Sequence, residues 1–216
     1  LAQALYEPGG HDFGTPIRSV LATDRSFARR ERLEGALGIK LEFEPRSRAD
    51  LDFVFAPGQA ASLRLLRPQL RFQYAGNVPV YATADAYAAD GGVANQDLEG
   101  LIVPAMPWVV PNSGSADAVR RAVADAAGDN AAWQSGLYAF GFDACQLALA
   151  IAASGRERGA VRVDGLSGQL SVDAGGRVHR EPLWVRISRS GEPRIIVPGA
   201  GGNSSGTAGA SADSGN

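Results

Sequence analysis

The sequence predicts an α/β protein with a parallel sheet flanked by helices and a β-rich carboxyl-terminal hairpin. Residues 52–56 and 78–82 are short apolar runs, which is the pattern of strands buried on both faces. Between them, leucines recur at helical spacing from Leu63 to Leu70. A connection of this length cannot form a hairpin, so the two strands must lie parallel. After Gly165, short strand-like segments replace the alternation of helix and strand, which indicates a small appended sheet.

Three elements are expected before this strand–helix–strand unit. Residues 17–22 are compatible with a strand. A helix is predicted over residues 27–36, because Asp24 or Ser26 can cap its start and Gly38 can end it. Residues 39–43, Ile-Lys-Leu-Glu-Phe, alternate strictly between apolar and charged side chains, so they are predicted to form a half-buried strand.

The middle of the chain predicts a loop, a short strand and two helices. Residues 85–99 are small and polar, which favours a loop, and residues 101–103 form an apolar strand. The prolines within residues 104–108 are typical of an extended, rigid segment. Helices are predicted over residues 116–127 and 131–153. One apolar stripe is expected along the second helix, formed by Trp133, Leu137, Phe140, Ala144, Leu147 and Ile151.

The carboxyl-terminal part is predicted to be rich in strands and to end in a tail. Residues 169–173 and 177–180 flank a glycine-containing loop, which predicts a hairpin. Further strand-like segments follow at residues 183–187 and 194–197. Residues 198–216 are small or polar after a leading proline, and they cannot bury enough apolar surface to offset an ordering cost of about 1–2 kcal/mol per residue. We therefore expect one domain over residues 1–197 and a disordered Gly/Ser/Ala tail over residues 198–216.

Composition and charge limit the classes of function. The 216 residues carry a formal net charge of −2, which argues against non-specific binding to nucleic acid. Cys145 is the only cysteine, so neither an internal disulfide nor a cysteine-based metal site can form. No uninterrupted apolar run approaches the ~18 residues that span a bilayer. The longest run, residues 144–153, is predicted to be the buried end of a helix.

The sequence lacks the usual catalytic patterns. His11 lies in a glycine-rich loop and His179 in a hairpin strand, and no Gly-x-Ser-x-Gly elbow accompanies them. Asp50 and Asp52 point the same way in a strand, but ion pairs with the neighbouring arginines, or helix caps, explain them better than a catalytic dyad. Phosphate-binding glycine motifs and metal-ligand spacings are not found either. We therefore expect no enzymatic activity, no cofactor and no metal.

Three features are candidates for binding surfaces. Residues 44–48 form a basic turn that carries Arg46 and Arg48. A row of arginines is predicted on the solvent face of the helix that follows, formed by Arg64, Arg67 and Arg71. Residues 106–108, Met-Pro-Trp, form a rigid loop that suits core packing, a cleft wall or an interface anchor.

Several sequence segments, taken together and in order, carry a family resemblance. They include the basic turn before Asp-x-Asp-Phe at residues 44–55, Arg-Pro-Gln-Leu-Arg-Phe-Gln-Tyr-Ala-Gly at residues 67–76 and Val-Pro-Val-Tyr-Ala-Thr at residues 78–83. Further segments follow at residues 96–100, 106–108, 137–144 and 165–171, and then at Arg180, Glu181 and Trp184. Together they resemble the LppC lipoproteins, a family of penicillin-binding protein activators, over about residues 27–196.

The resemblance implies a type I periplasmic-binding-protein fold, in which crossover strands join two α/β lobes. It also implies a periplasmic role on a lipid-anchored outer-membrane protein, which docks on a bifunctional class A penicillin-binding protein and stimulates peptidoglycan crosslinking. The family's lipidated cysteine is not matched, because Cys145 lies within a predicted helix. Too few residues precede Arg46 to build a whole first lobe, so we expect that lobe to be incomplete and any lipid anchor to lie outside this chain.

Two functions are carried forward from the sequence. The first is non-catalytic activation of a penicillin-binding protein, with contacts from exposed loops at Arg46, Arg48, Tyr87 and Trp108. The second is binding of a small solute in the cleft between lobes, with polar groups beyond a strand end at Thr83, Asp85 and Tyr87.

Overall fold

The central sheet of the computed structural model contains five strands and is mixed. The structure describes residues 1–7, 9–89, 91–127, 136–154 and 161–197. The strands, in spatial order, are β1 (Val54–Phe55), β2 (Val80–Tyr81), β3 (Leu101–Ala105), β7 (Leu183–Ile187) and β8 (Pro193–Ile196). β1, β2 and β3 run parallel, whereas β7 and β8 pair antiparallel. The predicted α/β class and the parallel strand–helix–strand unit are therefore confirmed.

Five α-helices accompany the sheet in the described part of the chain. They are α1 (Gly14–Leu21), α2 (Thr23–Leu37), α3 (Ala60–Leu70), α4 (Ser115–Ala127) and α5 (Gly136–Ser154). α3 continues into a wider turn over Arg71–Ala75, in which Tyr74 adopts a left-handed conformation with φ of 67°. The predicted loop at residues 85–99 contains a 3-10 helix, Gly92–Leu98, rather than irregular chain alone.

The main core lies on one face of this sheet. Ile17, Leu21, Leu63 and Leu70 from α1 and α3 are at most 4% exposed. They pack against the inward-facing residues of the strands, which are Val80, Leu101, Val103, Val185 and Ile187. Because burial of a large aliphatic side chain contributes about 1.5–3 kcal/mol, these contacts hold the two helices on the sheet.

A second, smaller sheet is antiparallel throughout. Its strands are β4 (Arg162–Asp164), β5 (Gln169–Val172) and β6 (Val178–Glu181), with β5 in the centre. Leu147 of α5 packs on Val161 and Val172 at this sheet. The predicted hairpin is thus confirmed, with Val172 paired to Val178 beside the loop.

The prediction of a strand at residues 17–22 is wrong. Phe13, Ile17 and Leu21 are spaced by four residues and are all buried, so this segment is the amphipathic helix α1. Ala22 ends the helix in the left-handed conformation with φ of 54°, and α2 begins at the next residue.

The half-buried strand predicted at residues 39–43 is also not formed. This segment instead lies along α2: the Leu41 N–H donates to the Glu34 carboxylate at 3.0 Å. The Phe43 ring contacts the Phe27 ring edge-on, with centroids 5.3 Å apart. Among the described residues, no strand pairs with this alternating segment, and Ile39 is 59% exposed.

The apolar stripe predicted on α5 is displaced. The buried positions are Ala139, Asp143 and Leu147, whereas Leu137 and Phe140 are 79% and 42% exposed. Most of residues 144–153 are exposed rather than buried. By length and composition alone, α5 is long and apolar enough to cross a membrane. Trp133 and the predicted tail at residues 198–216 lie outside the described residues.

Candidate functional site

The basic turn stands at the amino end of β1. The Arg48 guanidinium donates two hydrogen bonds of 2.6 and 2.5 Å to the Asp50 carboxylate. The backbone N–H of Arg48 donates to the Leu21 carbonyl at 3.0 Å. The hydrogen bond from Arg48 lowers the pKa of Asp50 to about 2. Arg46 is exposed. The ion pair favoured by the sequence is therefore present, and Arg46 is the freer of the two predicted contact residues.

Trp108 lies in a core, so core packing, one of the alternatives for residues 106–108, is confirmed, and the expectation that Trp108 is an exposed contact residue is wrong. Its side chain is 2% exposed and stacks on Tyr138, with ring centroids 5.2 Å apart. The Arg120 guanidinium lies 5.8 Å from the centre of the indole ring. The backbone N–H of Trp108 donates to the Leu166 carbonyl at 2.9 Å. Trp108 therefore joins the loop after β3 to α4 and α5.

The predicted cleft residues share one segment beyond the carboxyl end of β2. The Thr83 hydroxyl donates to the Gly58 carbonyl at 3.5 Å, which joins the segment to the chain leaving β1. Asp85 is exposed, while Tyr87 is half-buried and packs on the main core. Burial, with a smaller effect from the Glu192 charge, raises the pKa of Tyr87.

The four predicted contact residues do not form one surface. Arg46 and Arg48 precede β1, whereas Tyr87 follows β2, which runs parallel to β1. Because the strands are parallel, these positions lie at opposite ends of the sheet. With Trp108 buried, the turn at Arg46 and the segment at Tyr87 are two separate exposed regions.

The prediction of a solvent-facing arginine row is wrong for Arg67, which is buried, whereas Arg64 is half-buried and Arg71, in the turn after α3, is exposed. Arg64 donates to the Asn95 side-chain oxygen at 2.9 Å, and Arg67 Nε donates to the Glu99 carbonyl at 2.9 Å. Arg71 forms an ion pair with the Glu99 carboxylate at 2.7 Å. Arg67 is only 6% exposed, and this burial, together with the nearby Arg71 charge, lowers its pKa. The row thus holds the segment that ends at Glu99 against α3.

Asp143 is a buried carboxylate whose role the sequence did not reveal. It is 3% exposed and accepts hydrogen bonds from the N–H groups of Leu166 and Ser167, at 2.6 and 2.7 Å. The Ser167 hydroxyl adds a third bond at 2.6 Å. A Cβ atom at Gly165 would lie 2.5 Å from this carboxylate, so glycine permits the close approach. The bonds join α5 to the turn before β5.

The two histidines lie in different elements, His11 in the loop before α1 and His179 in β6. His11 and His179 are both exposed. His179 contacts the Asp173 carboxylate at 2.9 Å, and this hydrogen bond is the largest cause of the lowered pKa of Asp173. Within the residues that the structure describes, no group of three or more His, Cys, Asp or Glu side chains is placed to hold a metal ion.

A groove of about 610 Å³ runs along the free edge of β1. It is lined by the amino-terminal segment, by α1 and by β1 itself. Ile17, Val20 and Leu66 give it apolar walls, and Arg48, Asp50 and Asp52 contribute charged groups to its lining. None of the predicted cleft residues lines this groove.

Comparison with known families identifies the fold and the lineage. The model of the LppC lipoprotein family matches residues 6–190, which is most of the chain. The chain belongs to this family. An LppC relative in Vibrio vulnificus, named penicillin-binding protein activator LpoA, is 25% identical over 169 residues. That alignment covers 78% of this chain but 27% of the relative, so the chain spans about a quarter of the length of the curated relatives it matches.

Solved structures resemble this LppC chain in fold. The carboxyl-terminal domain of LpoA from Haemophilus influenzae, titled a regulator of PBP1A, has a TM-score of 0.53 at 20% identity. The match covers 80% of this chain and 57% of that domain. The leucine-binding protein LivK from Thermotoga maritima has a TM-score of 0.51 at 18% identity, covering 90% of this chain and 50% of that protein. The fold is therefore periplasmic-binding-protein-like, as predicted.

Proposed function

We propose that this protein is a non-catalytic activator of a class A penicillin-binding protein and stimulates peptidoglycan crosslinking through protein–protein contact. The observation that carries the proposal is the LppC family match over residues 6–190, together with relatives that are named penicillin-binding protein activators. The family is one of lipoproteins, which supports a place in the cell envelope. On this proposal the protein acts in the periplasm, and a lipid anchor belongs to an outer-membrane protein of which this chain is part.

The mechanism we propose is a population shift in the synthase. A bound activator raises activity only if it binds the active arrangement of its partner more tightly than the inactive one. A difference of about 1.4 kcal/mol between the two binding free energies already gives a tenfold change in their ratio. No reacting group on the activator is needed, which agrees with histidines that lie apart on exposed loops and strands.

Arg46 is the contact residue that the structure supports best. Its side chain is exposed on a turn, and the turn is anchored by the Arg48–Asp50 pair and by the backbone bond to Leu21. An anchored turn loses little conformational entropy on docking, because its backbone is already ordered. Tyr87 is a second, half-buried candidate at the other end of the sheet. Arg48 stabilises the turn through its ion pair with Asp50.

Calorimetric titration of the chain into the periplasmic part of each class A penicillin-binding protein of the source organism tests the proposal. We expect saturable binding to one of them, weakened about 5- to 30-fold by Arg46→Ala, since a central charged contact contributes about 1–2 kcal/mol. Arg194→Ala is the matched control, because Arg194 is an exposed arginine on β8 at the opposite edge of the sheet. Absence of binding to every such protein by the folded chain would overturn the proposal.

Solute binding is the second candidate, and the position of residues 83–87 favours it. In open α/β sheets, ligands bind outside the carboxyl ends of the strands. Thr83, Asp85 and Tyr87 follow β2 there, next to Gly58 from the carboxyl end of β1. On this hypothesis, the exposed Asp85 carboxylate would bind a cationic group of the ligand and Tyr87 would form part of the wall.

A further inference from the structure

The exposed side of α2 carries a row of arginines. Arg25, Arg29 and Arg32 are spaced by four and three residues, so they lie on one face of the helix. All three are exposed, and only Thr23 among the fifteen residues of α2 is buried. The Nε of Arg32 donates to the Ala28 carbonyl within the helix at 3.3 Å. We call Arg25, Arg29 and Arg32 the α2 arginine row, which is about 10 Å long at a rise of about 1.5 Å per residue.

The carboxylates of α2 do not neutralise this row. In the part of the chain that the structure describes, no residue of the α2 arginine row takes part in an ion pair. Asp24 is paired with Arg18 at 3.4 Å, and Glu34 is paired with Arg30 at 3.7 Å. Glu31 has no arginine three or four residues away from it, so helix geometry directs its carboxylate away from the row. The row therefore carries an unbalanced positive charge.

The α2 arginine row lies where it costs the helix stability. Arg29 has Arg25 four residues before it and Arg32 three residues after it, and like charges at these spacings destabilise a helix. Cations are favoured near the carboxyl end of a helix, yet the last turn of α2 contains no basic residue. Because α2 has almost no buried surface to offset these effects, its own stability does not explain the arrangement. Local conflicts of this kind are expected at functional sites.

The row continues the surface that begins at Arg46. The backbone N–H of Arg48 donates to the Leu21 carbonyl at 3.0 Å, which places the basic turn beside the start of α2. Arg25 and Arg48 line one concavity of about 590 Å³. Both carboxylates that line this concavity are held in ion pairs with arginines of this chain. The basic turn and the α2 arginine row therefore form one continuous basic surface.

We propose that the α2 arginine row and Arg46 form a docking surface for an acidic face of the penicillin-binding protein. This surface rests on the proposed function, and it adds the chemistry of the partner, which is a set of carboxylates on the contacting face. Charges of opposite sign on two proteins attract over about 8 Å at physiological ionic strength and raise the rate of association. Carboxylates also form paired hydrogen bonds with guanidinium groups at contact.

The side chains around the row favour an acidic protein over an anionic membrane. A helix that lies on a membrane inserts a face of large apolar side chains beside its cations. Phe27 of α2 packs instead on Phe43 of this chain, with ring centroids 5.3 Å apart. Leu33 and Leu37 are then the exposed large apolar side chains of α2, which is too few for an apolar face.

Association kinetics of the full chain with the periplasmic part of each class A penicillin-binding protein, measured by interferometry at several salt concentrations, test this docking surface. Arg29→Glu should slow association about 10-fold at low salt, and the effect should shrink as salt is raised. Arg121→Glu is the matched control, because it makes the same change of net charge at an exposed position on α4. It should change the rate by less than about 2-fold, and so should Arg29→Lys, which keeps the charge.

Thermal unfolding separates a contact role of Arg29 from a structural one. Arg29→Glu replaces repulsion from Arg25 and Arg32 by attraction, so the melting temperature should rise by about 1–2 °C while association slows. A fall in melting temperature together with slower association would assign Arg29 to the structure and overturn the docking surface.

The binding results distinguish this docking surface from the proposed function. Equal association rates for Arg29→Glu and Arg121→Glu, with binding retained, would overturn the docking surface and leave the proposed function standing. Absence of binding to every class A penicillin-binding protein would overturn both. Binding of the wild-type chain to phosphatidylglycerol vesicles, lost in Arg29→Glu, would assign the row to an anionic membrane instead.

Discussion

At the scale of single residues, charged side chains of this protein form hydrogen bonds that stabilise its turns. The Arg48 guanidinium donates to the Asp50 carboxylate. Arg67 is almost completely buried and donates to the backbone carbonyl of Glu99. An arginine at such a position acts through its planar donor geometry, which a lysine cannot reproduce. Side chains that looked like a solvent-exposed charge pattern in the sequence are therefore part of the local structure.

The Arg48–Asp50 pair predicts a specific titration. The pKa of Asp50 is lowered from 3.8 to about 2, because Arg48 hydrogen-bonds the ionised carboxylate. The pair therefore stabilises the folded protein fully above about pH 4, and its contribution is lost as the pH falls through about 2. In Arg48→Ala we expect the pKa of Asp50 to rise from about 2 toward its ordinary value of 3.8, measured by carbon-detected NMR.

Arg46→Ala is the matched control for this titration, because Arg46 belongs to the same turn and is exposed. It should leave the Asp50 midpoint near 2. If the titration midpoint of Asp50 stays near 2 in Arg48→Ala, the hydrogen bond from Arg48 is not the cause of the lowered pKa.

At the scale of elements, two sets of hydrogen bonds join helices to loops. Arg67 of α3 and Arg71 in the turn after it hold the segment that ends at Glu99, and Asp143 of α5 holds the turn at residues 166–167. Each set includes hydrogen bonds to backbone groups that would otherwise lack partners inside the protein. The loops are therefore positioned by helix side chains as well as by strand pairing.

Asp143→Ala is expected to destabilise the protein strongly. It leaves two buried N–H groups and one hydroxyl without their acceptor, and each unpaired buried group costs about 1–3 kcal/mol. Urea unfolding should show a fall of several kcal/mol in the free energy of unfolding, with a smaller loss for Asp143→Asn, which keeps one acceptor oxygen.

Asp125→Ala provides the comparison, since Asp125 is an exposed carboxylate on α4. Its free energy of unfolding should change by less than about 0.5 kcal/mol. Equal effects of Asp143→Ala and Asp125→Ala would show that the buried carboxylate contributes nothing to the joint between α5 and the turn.

At the scale of the whole molecule, the question is whether this fold closes on a small ligand. The fold resembles that of a leucine-binding protein, and residues 83–87 lie where such sheets bind ligands. A thermal-shift screen with amino acids and cell-wall fragments should give no stabilisation if the protein acts by protein contact alone. A ligand at 100 times its dissociation constant would add about 2.7 kcal/mol of stability, and loss of this shift in Asp85→Ala would establish the solute-binding function instead.

Local patterns predicted the elements whose partners are close in the sequence. The strand–helix–strand unit and the hairpin at residues 169–180 follow from spacing and turn chemistry, and both are present. Predictions failed where the partner is distant. Residues 39–43 have a strand pattern, but no strand in the described part of the chain pairs with them. Arg64 of α3 contacts Asn95, about thirty residues along the chain. Core packing of Trp108 is one of the alternatives that the sequence leaves open, but its stacking partner Tyr138 lies thirty residues along the chain, so local sequence could not select that alternative.

The exposed position of Cys145 in the middle of α5 has a practical consequence. Because the sequence has no second thiol, maleimide chemistry attaches a dye at one defined place without any mutation. The dye would sit among exposed apolar side chains such as Leu149, which is 67% exposed. The emission wavelength of a polarity-sensitive dye would then change, in wild-type protein and in real time, whenever another molecule covers this helix.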